Sequence, residues 1–472
     1  MKIIGRKLEQ QILNDVVESN RPEFMCVYGR RRVGKTYLIK EYFNDVFSFY
    51  VSGTKNDSKN AQLKIFNNAL LKYGSKEKKN PKNWTEAFDR LESLIESENV
   101  YKMPQYGKIV VFIDELPWFD TQKSGFKEAF EFFCNTYVTS KENLILIVCG
   151  SATTWIINNL LKNKGGFHNR LTRRMYLKPF TLREINELQK NNGIEWNEDD
   201  VAESYMIFGG IPYYHNMLLR HFSLYQNVDY LCYDQHGSLH DELDELFSSL
   251  FTQSEKYIDV IRAISKKRSG LTRDDIIKES GLLGGGMLSR ILEELEQCSF
   301  IRKYKNFTSE NNNAVYQLVD PFILFTINIL EKKENNSYLD YVGTPSYYSN
   351  LGYSFEMLVL NNISLVKNAL GISGISTNES SFRSNKSTPG AQVDLLIDRM
   401  DNIINLCEIK FTKDEFEIDA DYYKNLTRKI EVFRNETKTK KVIHLTFITF
   451  NGLVQNKYSS IAINKITKDD LL

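Results

Sequence analysis

The chain has 472 residues, of which 42% are hydrophobic and 26% charged, and its 61 basic and 60 acidic residues give a net charge of +1. This composition is ordinary for a soluble protein of roughly three domains at about 150 residues each, and it excludes a uniformly basic surface, so any nucleic-acid contact must be local. The six cysteines have no paired spacing, and apolar runs such as residues 109–113 are too short to span a bilayer, which predicts reduced thiols and a cytoplasmic protein with no membrane association.

The strongest motif follows a predicted amphipathic helix at residues 2–20. Gly29, four further residues, Gly34, Lys35 and Thr36 fill every fixed position of the phosphate-loop pattern, between an apolar strand and a helix. The glycines allow backbone N–H groups to surround phosphate oxygens at a helix N-terminus. Lys35 is expected to reach the β- and γ-phosphates of ATP, and the Thr36 hydroxyl to hold Mg²⁺. The predicted nucleotide-binding residues of this loop are Gly29, Arg30, Arg31, Arg32, Val33, Gly34, Lys35 and Thr36.

Two later strands deliver polar residues to the same edge of the predicted sheet. Residues 109–113 predict a buried parallel strand that ends in Asp114 and Glu115, and residues 144–148 predict another that ends shortly before Ser151. Ligands of an open α/β sheet bind at the C-terminal ends of its strands. Asp114 is therefore expected to bind nucleotide-associated Mg²⁺ through water, and Glu115 to orient or deprotonate the attacking water.

These motifs resemble those of the AAA+ ATPases. Gly5 and Arg6 before a helix resemble the adenine-side motif of that group, and the resemblance implies that Ser151 is the polar sensor near the γ-phosphate. An arginine cluster within residues 165–174 occupies the place of the arginine finger, which stabilises transition-state charge and often comes from a neighbouring subunit. Arg170 is favoured for that role, and a solvated basic turn is the alternative interpretation.

Residues 181–250 predict a helical segment with apolar residues at helical spacing. It contains Gly209-Gly210-Ile211-Pro212-Tyr213, which resembles the lid signature of one branch of the AAA+ ATPases. His236 and His240 are four residues apart, but Gly237 stands where a zinc-protease motif needs glutamate, so no metal site is expected there.

Residues 253–330 predict three helices followed by a hairpin, the pattern of a winged helix-turn-helix. The third helix offers Arg290 as a groove-facing cation, whereas its neighbouring glutamates would repel phosphate. Packing against protein and direct reading of DNA therefore both remain open for this segment.

The C-terminal part carries a second group of charged residues. Glu356 lies among apolar residues of a predicted helix, and Asp394 interrupts an apolar strand. Glu408 and Lys410 share one face of a further strand, because strand side chains alternate between faces. Converging carboxylates could hold Mg²⁺ for phosphodiester cleavage, while the lysine polarises water and offsets developing charge. Strand charges that face solvent are the alternative interpretation.

This half of the chain resembles the PD-(D/E)xK nuclease superfamily, whose core is a helix, a hairpin with the Asp and Glu-x-Lys residues, and a further helix and strand. The residues that match its motif are Glu356, Asp394, Glu408 and Lys410, with Val393 where the superfamily name expects proline. The resemblance implies catalytic roles for these residues. With the ATPase motifs, the expected metal ligands are Thr36, Asp114, Asp394 and Glu408.

Over its full length the chain resembles the archaeal-type AAA+ ATPases that are also found in bacteria. The resemblance implies an α/β fold that joins a phosphate-loop AAA+ ATPase with a helical lid to a winged helix-turn-helix and a C-terminal α/β PD-(D/E)xK-like domain. The predicted domains are the ATPase core at 1–180, the lid at 181–250, the winged helix at 251–330 and the nuclease-like domain at 345–472.

Two functional hypotheses follow, both with ATP and Mg²⁺ as cofactors and a homo-oligomer as the expected assembly. In the first, an ATP-binding and ATP-hydrolysing AAA+ protein is coupled to a Mg²⁺-dependent nuclease-like domain that acts on nucleic acid, with DNA favoured. In the second, the chain is an ATP-dependent regulatory switch or assembly ATPase whose C-terminal domain binds without cleaving.

Overall fold

The structure is a computed structural model that describes residues 3–55, 57–151, 153–162, 170–304, 307, 314–332, 337–384 and 390–472. It divides into two compact units, Met1–Pro179 and Phe180–Leu472. Within the described part of the chain, no helix combines the length and the apolar character needed to cross a membrane. All six cysteines belong to the described residues, are buried and form no disulfide.

The first unit contains a parallel sheet and flanking helices. Its strands are β1 (Glu23–Tyr28), β2 (Phe49–Ser52), β3 (Ile109–Asp114), β4 (Leu144–Gly150) and β5 (Arg173–Tyr176), and they pair in the order β2-β3-β4-β1-β5. The described α-helices are α1 (Lys7–Glu18), α2 (Lys35–Tyr42), α3 (Lys59–Lys72), α4 (Trp84–Ile95), α5 (Phe126–Thr136) and α6 (Thr153–Ile156). Short 3₁₀ or π segments lie at Leu116–Phe119, Val138–Ser140 and Ile157–Leu161.

The central strands of this sheet are buried along their whole length. Every residue of β3 and β4 is buried, as expected for parallel strands with apolar side chains on both faces. Aromatic side chains of α4 and α5 pack together, with the rings of Trp84 and Phe126 at 4.9 Å between centroids. These rings belong to the same buried core as Ile113 of β3, so the polar residues that follow the strands extend from a packed core.

The second unit begins with a helical region and continues into two further sheets. Its described α-helices are α7 (Leu182–Asn191), α8 (Glu198–Phe208), α9 (Pro212–His215), α10 (Leu224–Val228), α11 (Glu242–Leu250), α12 (Ser254–Ser265), α13 (Arg273–Ser280), α14 (Gly286–Gln297), α15 (Pro321–Phe325), α16 (Tyr338–Tyr341), α17 (Pro345–Asn361), α18 (Ile363–Ala369) and α19 (Ala420–Thr437). Asp229–Tyr233 and Thr326–Leu330 are π segments, and Ser459–Ile461 is a 3₁₀ turn.

The Gly209-Gly210 pair allows close backbone packing at the end of α8. The N–H group of Phe180 donates to the Gly210 carbonyl, and a Cβ atom at Gly210 would lie 1.9 Å from the Phe180 carbonyl oxygen. Two backbone segments meet here at a distance that only glycine allows.

A buried carboxylate joins several helices of this unit. Glu203 on α8 accepts hydrogen bonds from the hydroxyls of Tyr225, Tyr338 and Tyr347, which lie on α10, α16 and α17. Burial raises the pKa of Glu203 to about 7, against the opposing effect of the three hydroxyls.

The region predicted as a winged helix has the predicted helices α12 to α14 and the predicted hairpin. The hairpin strands are β7 (Ile301–Tyr304) and β8 (Val315–Leu318). A short strand, β6 (Leu271–Thr272), pairs with β8, which gives an antiparallel sheet in the order β6-β8-β7. Arg302 and Gln317 lie opposite each other in the hairpin.

The C-terminal sheet has strands β9 (Thr377–Arg383), β10 (Gln392–Arg399), β11 (Ile403–Lys410), β12 (Val442–Thr449) and β13 (Asn464–Ile466), in the order β13-β12-β11-β10-β9. β9, β10 and β11 pair antiparallel, and β12 and β13 continue parallel to β11. Helix α19 connects β11 to β12, and its buried Leu426 and Phe433 belong to the same core as Leu406 and Leu445 of the sheet. A long crossover helix is the usual connection between parallel strands.

Candidate functional site

The sequence motifs that are predicted to bind nucleotide lie at one edge of the first sheet. β3, β4 and β1 are neighbours, with Ile113 paired to Val148 and Tyr28 to Gly150. The phosphate loop, Asp114-Glu115 and Ser151 therefore follow three adjacent parallel strands at the same edge. This is the ligand edge of an open α/β sheet.

Backbone conformation explains the two glycines of the loop. Gly29 has φ 146°, and a Cβ atom there would lie 2.4 Å from the carbonyl oxygen of Leu177. Gly34 has φ 91° and caps the N-terminus of α2. Both positions favour glycine because other residues rarely adopt this backbone region.

The Lys35 side chain contacts the backbone of the phosphate loop. Its Nζ atom donates to the carbonyls of Gly29 at 3.0 Å and Arg30 at 2.9 Å. The side chain is buried. Lys35 is the first residue of α2, so its charge lies near the helix N-terminus, where a phosphate would be favoured.

Arg6 makes a contact with the loop that the pattern of residues alone did not predict. Its buried Nη2 atom donates to the Val33 carbonyl at 3.2 Å. The N-terminal Gly5-Arg6 turn is thus attached to the phosphate loop, 27 residues further along the chain.

Thr36 and Asp114 form a pair of oxygen donors. The Thr36 hydroxyl donates to the two Asp114 carboxylate oxygens at 3.1 and 2.9 Å, and the Cys149 thiol donates to the same carboxylate. Burial raises the pKa of Asp114, while these hydrogen bonds oppose the rise. A hydroxyl and a carboxylate side by side fit Mg²⁺, which is bound by few protein oxygens and keeps waters or substrate phosphates as its other ligands.

Glu115 is held beside this pair by Ser151. The Ser151 hydroxyl lies 2.9 and 2.8 Å from the two Glu115 carboxylate oxygens, and its N–H group donates at 3.1 Å. Glu115 itself has φ 48°, a strained conformation for a residue other than glycine, and such strain is concentrated at functional sites.

Arg170 lies exposed at a turn three residues before β5. The sequence segment that precedes it, residues 163–169, lies outside the described residues. Its role as an arginine finger stays a prediction.

The C-terminal site contains a buried carboxylate between two lysines. Glu408 is in contact with Lys410 at 3.1 Å and Lys429 at 2.9 Å, and the Tyr422 hydroxyl also donates to it. Burial alone would raise the pKa of Glu408, but the charges of Lys410 and Lys429 lower it below its ordinary value. Glu408 and Lys410 share a face, as the alternation predicts.

Asp394 sits at an irregularity of the sheet. The pairing of β10 with β9 shifts between Val393 and Leu396, and such bulges redirect side chains and are frequent beside active sites. Burial and the negative charge of Asp394 together raise the pKa of Glu356 on α17. The charge of Asp394 therefore acts on Glu356, and their membership of one catalytic site stays a prediction.

The prediction that Asp394 and Glu408 bind a metal ion receives less support than the prediction that Glu356 and Asp394 lie close together. No three His, Cys, Asp or Glu side chains come close enough together to hold a metal ion anywhere in the described ranges. Asp394, Glu408 and Glu356 thus do not form a ready-made metal cluster. Glu408 instead contacts Lys410 and Lys429.

Arg302 and Lys429 are charged neighbours of these carboxylates that sequence reasoning missed. Lys429 lies on α19, and its side chain is 15% exposed and paired with Glu408. Arg302 comes from the hairpin of the preceding region, and its charge acts on Glu356 and Asp394. No local pattern marks either residue, since both reach the site from separate elements.

The third helix of the predicted winged helix offers little free positive charge. The exposed Arg290 is paired with Glu294 at 2.9 Å, and the Tyr257 hydroxyl donates to the same carboxylate. This ion pair reduces the charge that Arg290 could offer to phosphate.

Comparison with known proteins gives one family match and several similar proteins. Residues 4–218 match a family described as an ATPase domain predominantly from Archaea. An uncharacterized protein of Methanocaldococcus jannaschii is 24% identical over 324 residues, which cover 68% of this chain and 67% of that protein. The family match supports an ATP-binding ATPase domain, and it ends before the predicted winged helix.

Solved structures with a similar arrangement include two archaeal proteins. The Walker-type ATPase of Pyrococcus abyssi is 20% identical with a TM-score of 0.48, and the match covers 69% of this chain and 96% of that chain. The ORC2 protein of Aeropyrum pernix, solved with ADPNP and ADP, is 12% identical with a TM-score of 0.42, and the match covers 71% of this chain and 96% of that chain.

Proposed function

We propose that the chain is a Mg²⁺-dependent ATPase whose site is built from Lys35, Thr36, Asp114, Glu115 and Ser151. The observation that carries this proposal is the hydrogen bond between Thr36 and Asp114, which brings the phosphate loop and the end of β3 together across 78 residues of sequence. The family match of residues 4–218 supports the same assignment.

Each residue of this site has a distinct task in the proposed reaction. The loop N–H groups and Lys35 bind the phosphates, and Thr36 and Asp114 would hold Mg²⁺, which supplies positive charge to the phosphate oxygens when bound. Glu115 orients the attacking water and accepts its proton, and Ser151 fixes the carboxylate of Glu115 in place.

The direct test is ATP binding by the wild type and by Lys35→Ala, measured calorimetrically with Mg²⁺. Removing a buried charge that contacts phosphate should weaken binding by more than about 10-fold. Lys64→Ala, which changes an exposed lysine of α3, is the matched control and should bind as the wild type does. Unchanged affinity in Lys35→Ala would refute the proposed nucleotide site.

We further propose that the C-terminal carboxylates act on nucleic acid by Mg²⁺-dependent phosphodiester cleavage. The observation that favours this activity is the pair of carboxyls Glu356 and Asp394. Burial raises the pKa of Glu356, and repulsion from Asp394 raises it further. A bound cation would relieve this repulsion. Glu408 and Lys410 on the adjacent strand β11 would supply the remaining predicted groups when the nucleic acid and the metal ion bind.

Cleavage of single- and double-stranded DNA and RNA, with Mg²⁺ or Mn²⁺ and with or without ATP, tests this second activity. Asp394→Ala should abolish cleavage, whereas Asp401→Ala, at the exposed turn after β10, should cleave normally. Absence of cleavage by the wild type, with ATP hydrolysis intact, would favour the alternative of an ATP-dependent switch or assembly ATPase whose C-terminal domain only binds.

The division into a core at 1–180, a lid at 181–250, a winged helix at 251–330 and a nuclease-like domain at 345–472 belongs to the same proposal. We also propose a homo-oligomer in which the exposed Arg170 of one copy completes the ATP site of the next copy. Arg170→Ala should then lower ATP hydrolysis without lowering ATP affinity, and an unchanged hydrolysis rate would contradict this role.

A further inference from the structure

The hairpin β7–β8 has two different faces. Ile301 and Leu318 are buried in the core of their own region, whereas Arg302 and Gln317 lie opposite each other on the other face. The Gln317 side chain donates to Glu356 of α17 at 3.4 Å. This second face of the hairpin therefore lies against the C-terminal carboxylate site.

The guanidinium of Arg302 is held in place by its neighbours on the hairpin. Its Nε atom donates to the Gln317 side-chain oxygen at 2.7 Å, and its central carbon lies 4.8 Å from the ring centroid of Tyr304. The Tyr304 hydroxyl in turn donates to the Ser269 carbonyl. These contacts fix the orientation of the guanidinium before any ligand arrives, which lowers the entropic cost of binding.

The Arg302 side chain is half-buried, and within the described part of the chain only its Nε atom forms a hydrogen bond. Among the described residues, its two terminal nitrogens make no hydrogen bond and no ion pair, because the one hydrogen bond of this side chain uses Nε. The charge of Arg302 nevertheless acts on Glu356 and Asp394. A guanidinium with two free donor groups beside a candidate metal site is suited to bidentate binding of phosphate oxygens.

The hairpin is also attached to the C-terminal sheet, and this attachment helps to hold Arg302 near the carboxylates. Phe307, just after β7, donates its backbone N–H to the Ser381 carbonyl of β9 at 3.0 Å. Its ring lies 5.4 Å from that of Phe433 on α19. The chain that continues from the hairpin is thus attached to strand β9 and helix α19 of the C-terminal sheet.

We propose that Arg302 is the phosphate-binding residue of the C-terminal site, and that its terminal nitrogens contact the phosphodiester of a nucleic-acid strand. The inference rests on the proposed action of this site on nucleic acid. It makes the hairpin, and not helix α14 with its paired Arg290, the part of the predicted winged helix that contacts the strand.

The test is binding of a fluorescein-labelled DNA oligonucleotide, single-stranded and duplex, followed by anisotropy in Ca²⁺ so that affinity is measured apart from cleavage. Arg302→Gln should bind about 10- to 100-fold more weakly, and the dependence of log K on log salt should become shallower by about 1. Lys303→Gln, at the exposed next position of the same strand, is the matched control and should bind as the wild type does. Arg302→Lys keeps the charge, so it should recover part of the affinity.

The outcomes separate this inference from the proposed cleavage. Weaker binding in Arg302→Gln, with no cleavage by any variant, would support the inference while refuting the nuclease. Cleavage that needs Asp394, with unchanged affinity and salt dependence in Arg302→Gln, would overturn the inference alone. Equal losses in Arg302→Gln and Lys303→Gln, or no binding by the wild type, would overturn it as well. A shift in the thermal unfolding midpoint of Arg302→Gln that Arg302→Lys shares, without weaker binding in either, would assign Arg302 a structural role only.

Discussion

Ser151 holds the carboxylate of Glu115 by its hydroxyl at 2.9 and 2.8 Å and by its N–H group at 3.1 Å. Glu115→Gln keeps the shape of this arrangement but removes the base. We therefore expect ATP hydrolysis to fall by about 10²- to 10⁴-fold while ATP affinity is retained. Ser151→Ala removes only the positioning hydroxyl and should lower kcat by about 10-fold. Steady-state hydrolysis beside calorimetric binding checks both, and an active Glu115→Gln protein would exclude Glu115 as the base.

Glu408 depends on its two lysines in different ways. Lys429→Met leaves a buried carboxylate with one cation instead of two, so the free energy of unfolding should fall by about 2 kcal/mol. Lys410→Ala affects the more exposed partner and should abolish cleavage if the domain is a nuclease. Thermal unfolding and cleavage assays on both variants distinguish the roles. Equal stability of Lys429→Met and the wild type would show that Lys429 is not needed to neutralise Glu408.

The stability of the second unit should depend on pH through Glu203. Its pKa is about 7 in the folded chain and near 4.5 when unfolded, so the folded state holds the proton more tightly. The resulting stabilisation is complete below pH 4.5 and is lost as the pH rises to about 7, by about 3 kcal/mol.

Glu203→Gln cannot titrate and provides the comparison. The difference in unfolding midpoint between the wild type and this variant should shift by several degrees between pH 4.5 and 7, to the disadvantage of the wild type at the higher pH. A difference that stays constant over this range would show that the three tyrosine hydroxyls keep Glu203 ionised.

Gly210 should not tolerate a side chain. A Cβ atom 1.9 Å from the Phe180 carbonyl oxygen forces the two backbone segments apart, so Gly210→Ala should lose more than about 2 kcal/mol of stability. Gly352 is the matched control, because it lies within α17 with no atom near its absent Cβ, and Gly352→Ala should gain up to about 1 kcal/mol. Thermal unfolding of both variants gives the comparison, and a stable Gly210→Ala protein would contradict the close contact.

Several features were predictable because they depend on short stretches of sequence. The phosphate loop and the carboxylates after the apolar strand at 109–113 are each marked by residue type and spacing. The three helices and the hairpin after residue 253 were predictable for the same reason. Parallel strands that end at one edge then bring the loop, Asp114 and Ser151 together without further information.

Other features required contacts between distant segments. The Arg6 contact with Val33, the three tyrosines around Glu203 and the position of Arg302 beside Glu356 join residues that no periodic pattern relates. The shift in pairing at Asp394 is likewise a property of two strands and not of one.

The sequence by itself determined which groups are available for phosphate chemistry and on which kind of element each one lies, because loops, helices and strands are specified locally by glycine positions, capping residues and periodicity. Only the tertiary structure decided which charges meet. Glu115 is held by Ser151, and Glu408 is engaged by two lysines. Arg290 is paired with the Glu294 carboxylate, whereas Arg302 bonds to the neutral side chain of Gln317 and forms no ion pair with the described residues. Electrostatic pairing depends on distance and burial, and packing of separate elements sets both.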